Sequence, residues 1–167
     1  MSDQVITLPL KRFLMLADPP PEFRACDLYL FRDDEVVFYV GQSANPFKRV
    51  WEHLLGGFKG RSAVGRLILL NWPRSMNFVI ELQNSQSARF ASVGHDPGAA
   101  ERLLIEELSP CFNDTLNPRP TPLPERYVPL NATVPRPRSP KRMIHDAERA
   151  VRREENRESW STTDRWT

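Results

Sequence analysis

The chain has 167 residues, 40% of them hydrophobic, with 16 prolines, 7 glycines and a formal net charge of +2. That length suits one compact domain with appendages, and its longest early apolar patch, "FLMLA" at 13–17, is too short to span a membrane. Two distant cysteines, Cys26 and Cys111, show no metal-ligand spacing and are expected to be reduced, largely buried thiols in a cytoplasmic protein.

The charge is uneven. Residues 115–167 carry 11 Lys/Arg against 7 Asp/Glu, and residues 1–114 carry 12 against 14. A basic C-terminal third permits an acidic partner such as nucleic acid without requiring one.

In chain order, residues 1–25 read as an irregular arm, stiffened by "DPPPE" because proline fixes φ and restricts the residue before it. "CDLYLFR" (26–32) and "VVFYVG" (36–41) read as a hairpin of β-branched and aromatic residues. A two-residue loop would pair residues whose numbers sum to 67 and put Tyr29 and Tyr39 on opposite faces. A longer loop or a bulge makes the sum 68 and sets them directly across from one another.

Next comes a helix from "SANPFKRVWEHLL". Ser43 or Asn45 can cap it, Pro46 suits its first turn, and "GG" at 56–57 is expected to end it. Arg49 and His53, four apart, share one side. A second, buried helix follows over 61–71, then a strand over 76–82 and a polar loop over 83–95. A third helix over 97–108 has Asp96 as its cap. The order is β-β-α-α-β-α, an α/β (α+β) domain with a small three-stranded sheet flanked by helices, over 26–114. Residues 115–138 read as a Pro-rich linker. Residues 139–167 read as a basic tail with a helix capped by Ser139. The tail is either a disordered basic arm that raises non-specific DNA affinity or a helix that docks on the body or on a second copy through its stripe, Met143, Ile144, Ala147, Ala150 and Val151; because that stripe is narrow, an exposed helix with weak or partner-dependent contacts is expected. Trp160 and Trp166 have no assigned role.

Singly, each polar candidate has an ordinary explanation. Tyr29 and Tyr39 suit half-buried strands, and Arg49 and His53 suit a solvated helix face. Glu101 suits the start of a helix, and Asn113 a helix end. As a set, they form a pattern. Asp27-Leu28-Tyr29 and Tyr39-Val40-Gly41, then Arg49 and His53, then "AAERLLIEELSPCFN" with Glu101, Leu108, Pro110 and Asn113, resemble the signature of the GIY-YIG nucleases over about 26–114. Two features depart from it. Asp27 replaces the first glycine, and the 83–95 loop is long, either contacting substrate or simply slack.

The resemblance implies a Mg²⁺-dependent endonuclease (Mn²⁺ substituting) acting on DNA, with RNA left open. Tyr29 or Tyr39 would activate a water; the resemblance does not choose between them. Arg49 would neutralise the scissile phosphate, and His53 would relay a proton or bind phosphate. Glu101 would hold the metal, and Asn113 would support the site by hydrogen bonds. Gly41, Gln42, Ser43 and Lys48 are the expected substrate contacts at the strand-to-helix corner. Tyr29, Tyr39, Arg49, His53 and Glu101 should then share one concave face. The alternative is a non-catalytic module that binds nucleic acid or protein on the same fold.

Overall fold

The computed structural model describes residues 4–133 and 138–163. Expectations for 1–3, for 134–137 of the Pro-rich stretch and for 164–167, including Trp166, lie outside these residues. The strands are β1 (Ile6–Pro9), β2 (Leu28–Arg32), β3 (Val37–Gln42) and β4 (Val79–Gln83). The helices are α1 (Leu10–Phe13), α2 (Pro46–Phe58), α3 (Ala63–Leu70), α4 (Pro97–Leu108) and α5 (Pro140–Thr163). Residues 28–108 therefore run β-β-α-α-β-α, as the sequence pattern implies.

The protein is a mixed α+β fold around one antiparallel sheet. That sheet has four strands rather than three, in the order β1-β4-β2-β3. The extra strand comes from the expected irregular arm: Ile6 pairs with Leu82 and Pro9 with Val79. α1 follows at once and buries Leu10 and Phe13 completely. Four residues are too few to show a period, so the pattern that marks longer strands is absent here.

The hairpin register differs from both expected values. Tyr29 pairs with Gly41, and Phe31 pairs with Tyr39, so the numbers sum to 70. Asp33 causes the longer connection. Its Oδ1 accepts from the backbone N–H groups of Glu35 and Val36, each at 2.7 Å, and the register shifts between Phe31 and Arg32. Tyr39 stays on the face of Tyr29, but diagonally.

Each face of the sheet carries a core. One gathers Tyr29, Phe31, Ile80 and Leu82 with side chains of α1, α2, α3 and α5. The other packs Leu28, Leu30 and Val40 against Ala100, Leu104 and Ile105 of α4. The 83–95 loop is not slack: Phe90 is fully buried in this second core. Asp27 holds the same loop, accepting from the N–H of Ser85 at 2.8 Å and from its hydroxyl at 2.5 Å. The departure at Asp27 thus has a structural use.

Helix α2 runs past Gly56–Gly57 to Phe58, because a helix packs there: a Cβ on Gly57 would lie 2.5 Å from the Gly65 carbonyl carbon of α3. No helix among the described residues is long and apolar enough to cross a membrane.

Beyond α4 the chain binds the domain at several points. Residues 111–113 pair with the outer edge of β3, through Cys111 N–H to Val37 O and Phe112 N–H to Phe38 O. An open edge is thereby covered. In the expected linker, Tyr127 buries its ring against Phe38 and Phe78, with centroids at 5.6 and 5.4 Å. Arg66 donates to the carbonyls of Leu130 and Ala132. This stretch is a strap docked on the body.

α5 is docked as well, correcting the expectation of an exposed helix. Met143, Ala147 and Val151 are 2%, 0% and 1% exposed. Trp72 Nε1 donates to Asp146 at 2.9 Å, and Lys11 pairs with Glu154. The stripe is narrow because it meets only the short α1 and its surroundings. Met143→Ala should cost about 2–5 kcal/mol and lower the thermal midpoint by roughly 5–15 °C, whereas Arg152→Ala on the exposed face should stay within about 0.5 kcal/mol. Equal midpoints for the two variants in a melting scan would contradict this docking.

Candidate active site

The site is built where β2, β3 and the start of α2 converge. Gly41, opposite Tyr29, has no Cβ, and one built there would lie 2.3 Å from the Tyr29 hydroxyl oxygen. Only glycine lets the Tyr29 ring lie across the neighbouring strand. The ring is 2% exposed, and its hydroxyl sits 2.8 Å from His53 Nε2. His53, 6% exposed, places its other nitrogen, Nδ1, 2.9 Å from Ser62 Oγ. Tyr39 completes a ring cluster, with centroids 6.2 Å from Tyr29 and 5.0 Å from His53.

Local sequence sets these positions. Asn45 caps α2 by accepting from the N–H of Lys48, with Pro46 in the first turn, so Arg49 and His53 fall one turn apart. Ser62 caps α3 by accepting from the N–H of Gly65 at 3.0 Å. Asp96 caps α4 through Ala99 and fixes the start of the helix that carries Glu101.

Two adjoining depressions flank the ring cluster. One is a cleft of about 480 Å³ lined by Tyr39, Gln42, Glu101, Arg102, Asn113 and Asp114, among others. The other, of about 310 Å³, is lined by Arg49, Glu52, His53, Lys59, Arg61 and Ser62, among others. The five residues expected on one concave face are therefore gathered but divided. Tyr39 and Glu101 face the first depression, Arg49 and His53 face the second, and Tyr29 is buried and lines neither. Gln42 reaches the cleft. Ser43 accepts from Asn45 N–H through its hydroxyl, and Lys48 is exposed. Gly41 is buried, so the expected substrate contact gives way to a packing role. Asn113 is also buried. Its amide exchanges two hydrogen bonds with the backbone of Val40, at 2.9 and 2.8 Å, supporting the β3 edge beside Tyr39.

The electrostatics are those of a half-closed pocket. Burial raises the Tyr29 hydroxyl well above the usual phenol range, and neighbouring Tyr39 adds to the rise, while Arg49 opposes both. Tyr39 is also raised by burial; Arg49 opposes this, Glu101 adds to it, and Tyr29 opposes it as a hydrogen-bonding neighbour. Burial raises Glu101. Burial lowers His53 to about 4, and Arg49 pushes the same way, so the imidazole is neutral at physiological pH. Arg49 pairs with Glu52 at 2.9 Å in an exposed bridge, a contact weak enough to exchange for a phosphate.

Residues that sequence reasoning missed include Ser62, Arg102 and Asp114. Ser62 falls inside the helix expected over 61–71, whereas it caps α3, and its approach to His53 depends on α2 folding back against α3. Arg102 and Asp114 are neighbours in sequence of Glu101 and Asn113, with no signal of their own. No group of three or more His, Cys, Asp or Glu side chains that could hold a metal ion occurs among the described residues. Comparison with known protein families, with curated proteins and with solved structures finds no match for this chain.

His53 gives the site a pH signature. Its folded pKa lies below the ordinary 6.5, so the unfolded chain takes up the proton first as pH falls. Stability should be intact above about 6.5 and drop towards 4. About 2 kcal/mol of that loss should fall between pH 7.5 and 5. Denaturant titrations at these two pH values should show a smaller difference for His53→Gln than for the native chain. An unchanged difference would contradict the buried neutral imidazole.

Proposed function

We propose that the chain is a metal-dependent endonuclease that hydrolyses phosphodiester bonds in DNA, with a site of the GIY-YIG kind. The observation that carries this reading is the cluster of Tyr29, Tyr39 and His53 between an arginine on one side and a glutamate on the other. Each group has a task suited to its chemistry. Arg49, a permanently charged planar donor, offsets charge on the phosphate oxygens. Tyr39, which lines the cleft, stands where an attacking water would meet it. Its proton acceptor cannot be a resting phenolate, since burial keeps both phenols protonated. Instead, a water proton moves to Tyr39 as the Tyr39 proton passes to Tyr29 and the Tyr29 proton to His53 Nε2. Neutral His53 has an Nε2 lone pair 2.8 Å from the Tyr29 hydroxyl to receive it, although burial and Arg49 disfavour the resulting cation.

The donor set fits a hard divalent cation. The Glu101 carboxylate makes no hydrogen bond or ion pair among the described residues, and it lines the cleft together with Gln42 and Asp114. Mg²⁺ is commonly held by one or two carboxylates with waters filling its other positions. Glu101 would hold it, or Mn²⁺ in its place. Bound there, it would supply charge stabilisation at the leaving oxygen. Arg102 and Gln42 at the cleft, and Lys59 and Arg61 beside Arg49, offer contacts to the flanking backbone. The same contacts suit a module that binds nucleic acid without cutting it, and cleavage separates the two readings.

The purified chain should cut plasmid, branched or flapped DNA in Mg²⁺, and chelation should stop it. Glu101→Ala and Arg49→Ala should each slow cleavage by about 10²- to 10³-fold, with melting points near that of the native chain. Cleavage that survives Glu101→Ala would defeat the mechanism. Binding without cleavage in any divalent metal would favour the non-catalytic module.

A further inference from the structure

Neutral imidazole has one N–H and one lone pair, so the two neighbours of its nitrogens cannot be interchanged freely. His53 has a hydroxyl at each end, Tyr29 at 2.8 Å from Nε2 and Ser62 at 2.9 Å from Nδ1. Both hydroxyls can donate, but only one lone pair receives. A phenol is several pKa units more acidic than an alcohol and is therefore the stronger donor. Tyr29 is also buried between the strands and α2, and its hydroxyl lies against His53 Nε2 at 2.8 Å. Ser62 differs. It already accepts from Gly65 N–H, has a second lone pair to spare, and lines the open groove, where its own O–H can meet water.

We infer that Ser62 is a positioning residue of the site, accepting the Nδ1–H of His53 and so keeping Nε2 free to receive the proton of Tyr29. This inference rests on the nuclease reading for its consequence, but not for its geometry. The three side chains form a line from the sheet, through α2, to the first turn of α3. When the Tyr29 O–H bond breaks and the Nε2–H bond forms, the ring becomes a cation with Nδ1–H still held by the serine oxygen. The same hydroxyl caps α3, so one atom both starts a helix and orients the base behind the tyrosines. Gly65 secures the arrangement: a Cβ there would lie 2.0 Å from the carbonyl oxygen of His53, so α3 can approach only with glycine at that position.

The test is a long-range proton–nitrogen spectrum of the histidine rings in the nitrogen-15-labelled full chain at neutral pH, with His53 assigned by its loss in His53→Gln. The native ring should carry its proton on Nδ1. Ser62→Ala should leave a mixture of tautomers, and Ser62→Thr should restore the single form. In the cleavage assay, Ser62→Ala should be slower by about ten- to a hundredfold, with Ser62→Thr near the native rate. A native ring protonated on Nε2 overturns the inference even if Ser62→Ala does not fold. A tautomer indifferent to Ser62→Ala overturns it too, as does a changed tautomer with an unchanged rate. If the native chain cuts nothing, the nuclease reading fails, while the ring spectrum still decides what Ser62 does.

Discussion

The hydrogen bond between Tyr29 and His53 ties the sheet to the helices, and the rest of the site is arranged around it. It forms only because Gly41 leaves room above the neighbouring strand, and because α2 starts at a capped Asn45–Pro46 turn that brings His53 over the sheet. Removing either partner would leave the other polar and buried, at a cost of about 1–3 kcal/mol. The same bond sets a neutral imidazole beside two tyrosines whose own ionisation burial disfavours. Arg49 and Glu101, of opposite charge, act on those tyrosines from different sides.

This arrangement answers a chemical problem. A phenol with a raised pKa is seldom ionised at neutral pH, so two buried tyrosines alone would offer little phenolate to the proposed reaction. In the proposed reaction, the Nε2 lone pair of neutral His53 would be the acceptor. The cost appears as acid sensitivity of the fold, since the same ring must be desolvated. Tyr39 and Glu101 line one open depression and Arg49 and His53 another, a shape compatible with the proposed polymeric substrate.

Much of the core was legible in the sequence. The hairpin, the helices and their order follow from β-branched runs and from Asn45 and Asp96 at helix starts. The tyrosines share a face because the register sum is even. The value itself, 70, was not legible, because the Asp33 side chain bonds its own turn and lengthens the connection. β1 was hidden by its length, and the strap and α5 were hidden by distance along the chain. Tyr127 meets Phe38 almost ninety positions away, and Lys11 meets Glu154 more than a hundred and forty positions away. No local period reports such contacts. Ser62 shows the same limit on a smaller scale. Its capping role is local, whereas its place beside His53 depends on how two helices pack.

The most direct measurement is single-turnover cleavage of a flapped DNA in Mg²⁺ by the native chain and by Tyr29→Phe, with a thermal melt of each. Tyr29→Phe keeps the ring over Gly41 and removes only the hydroxyl that bonds His53. It should remain folded and lose on the order of a hundredfold in rate. A folded Tyr29→Phe variant that cuts at the native rate would contradict the role given to the Tyr29–His53 bond.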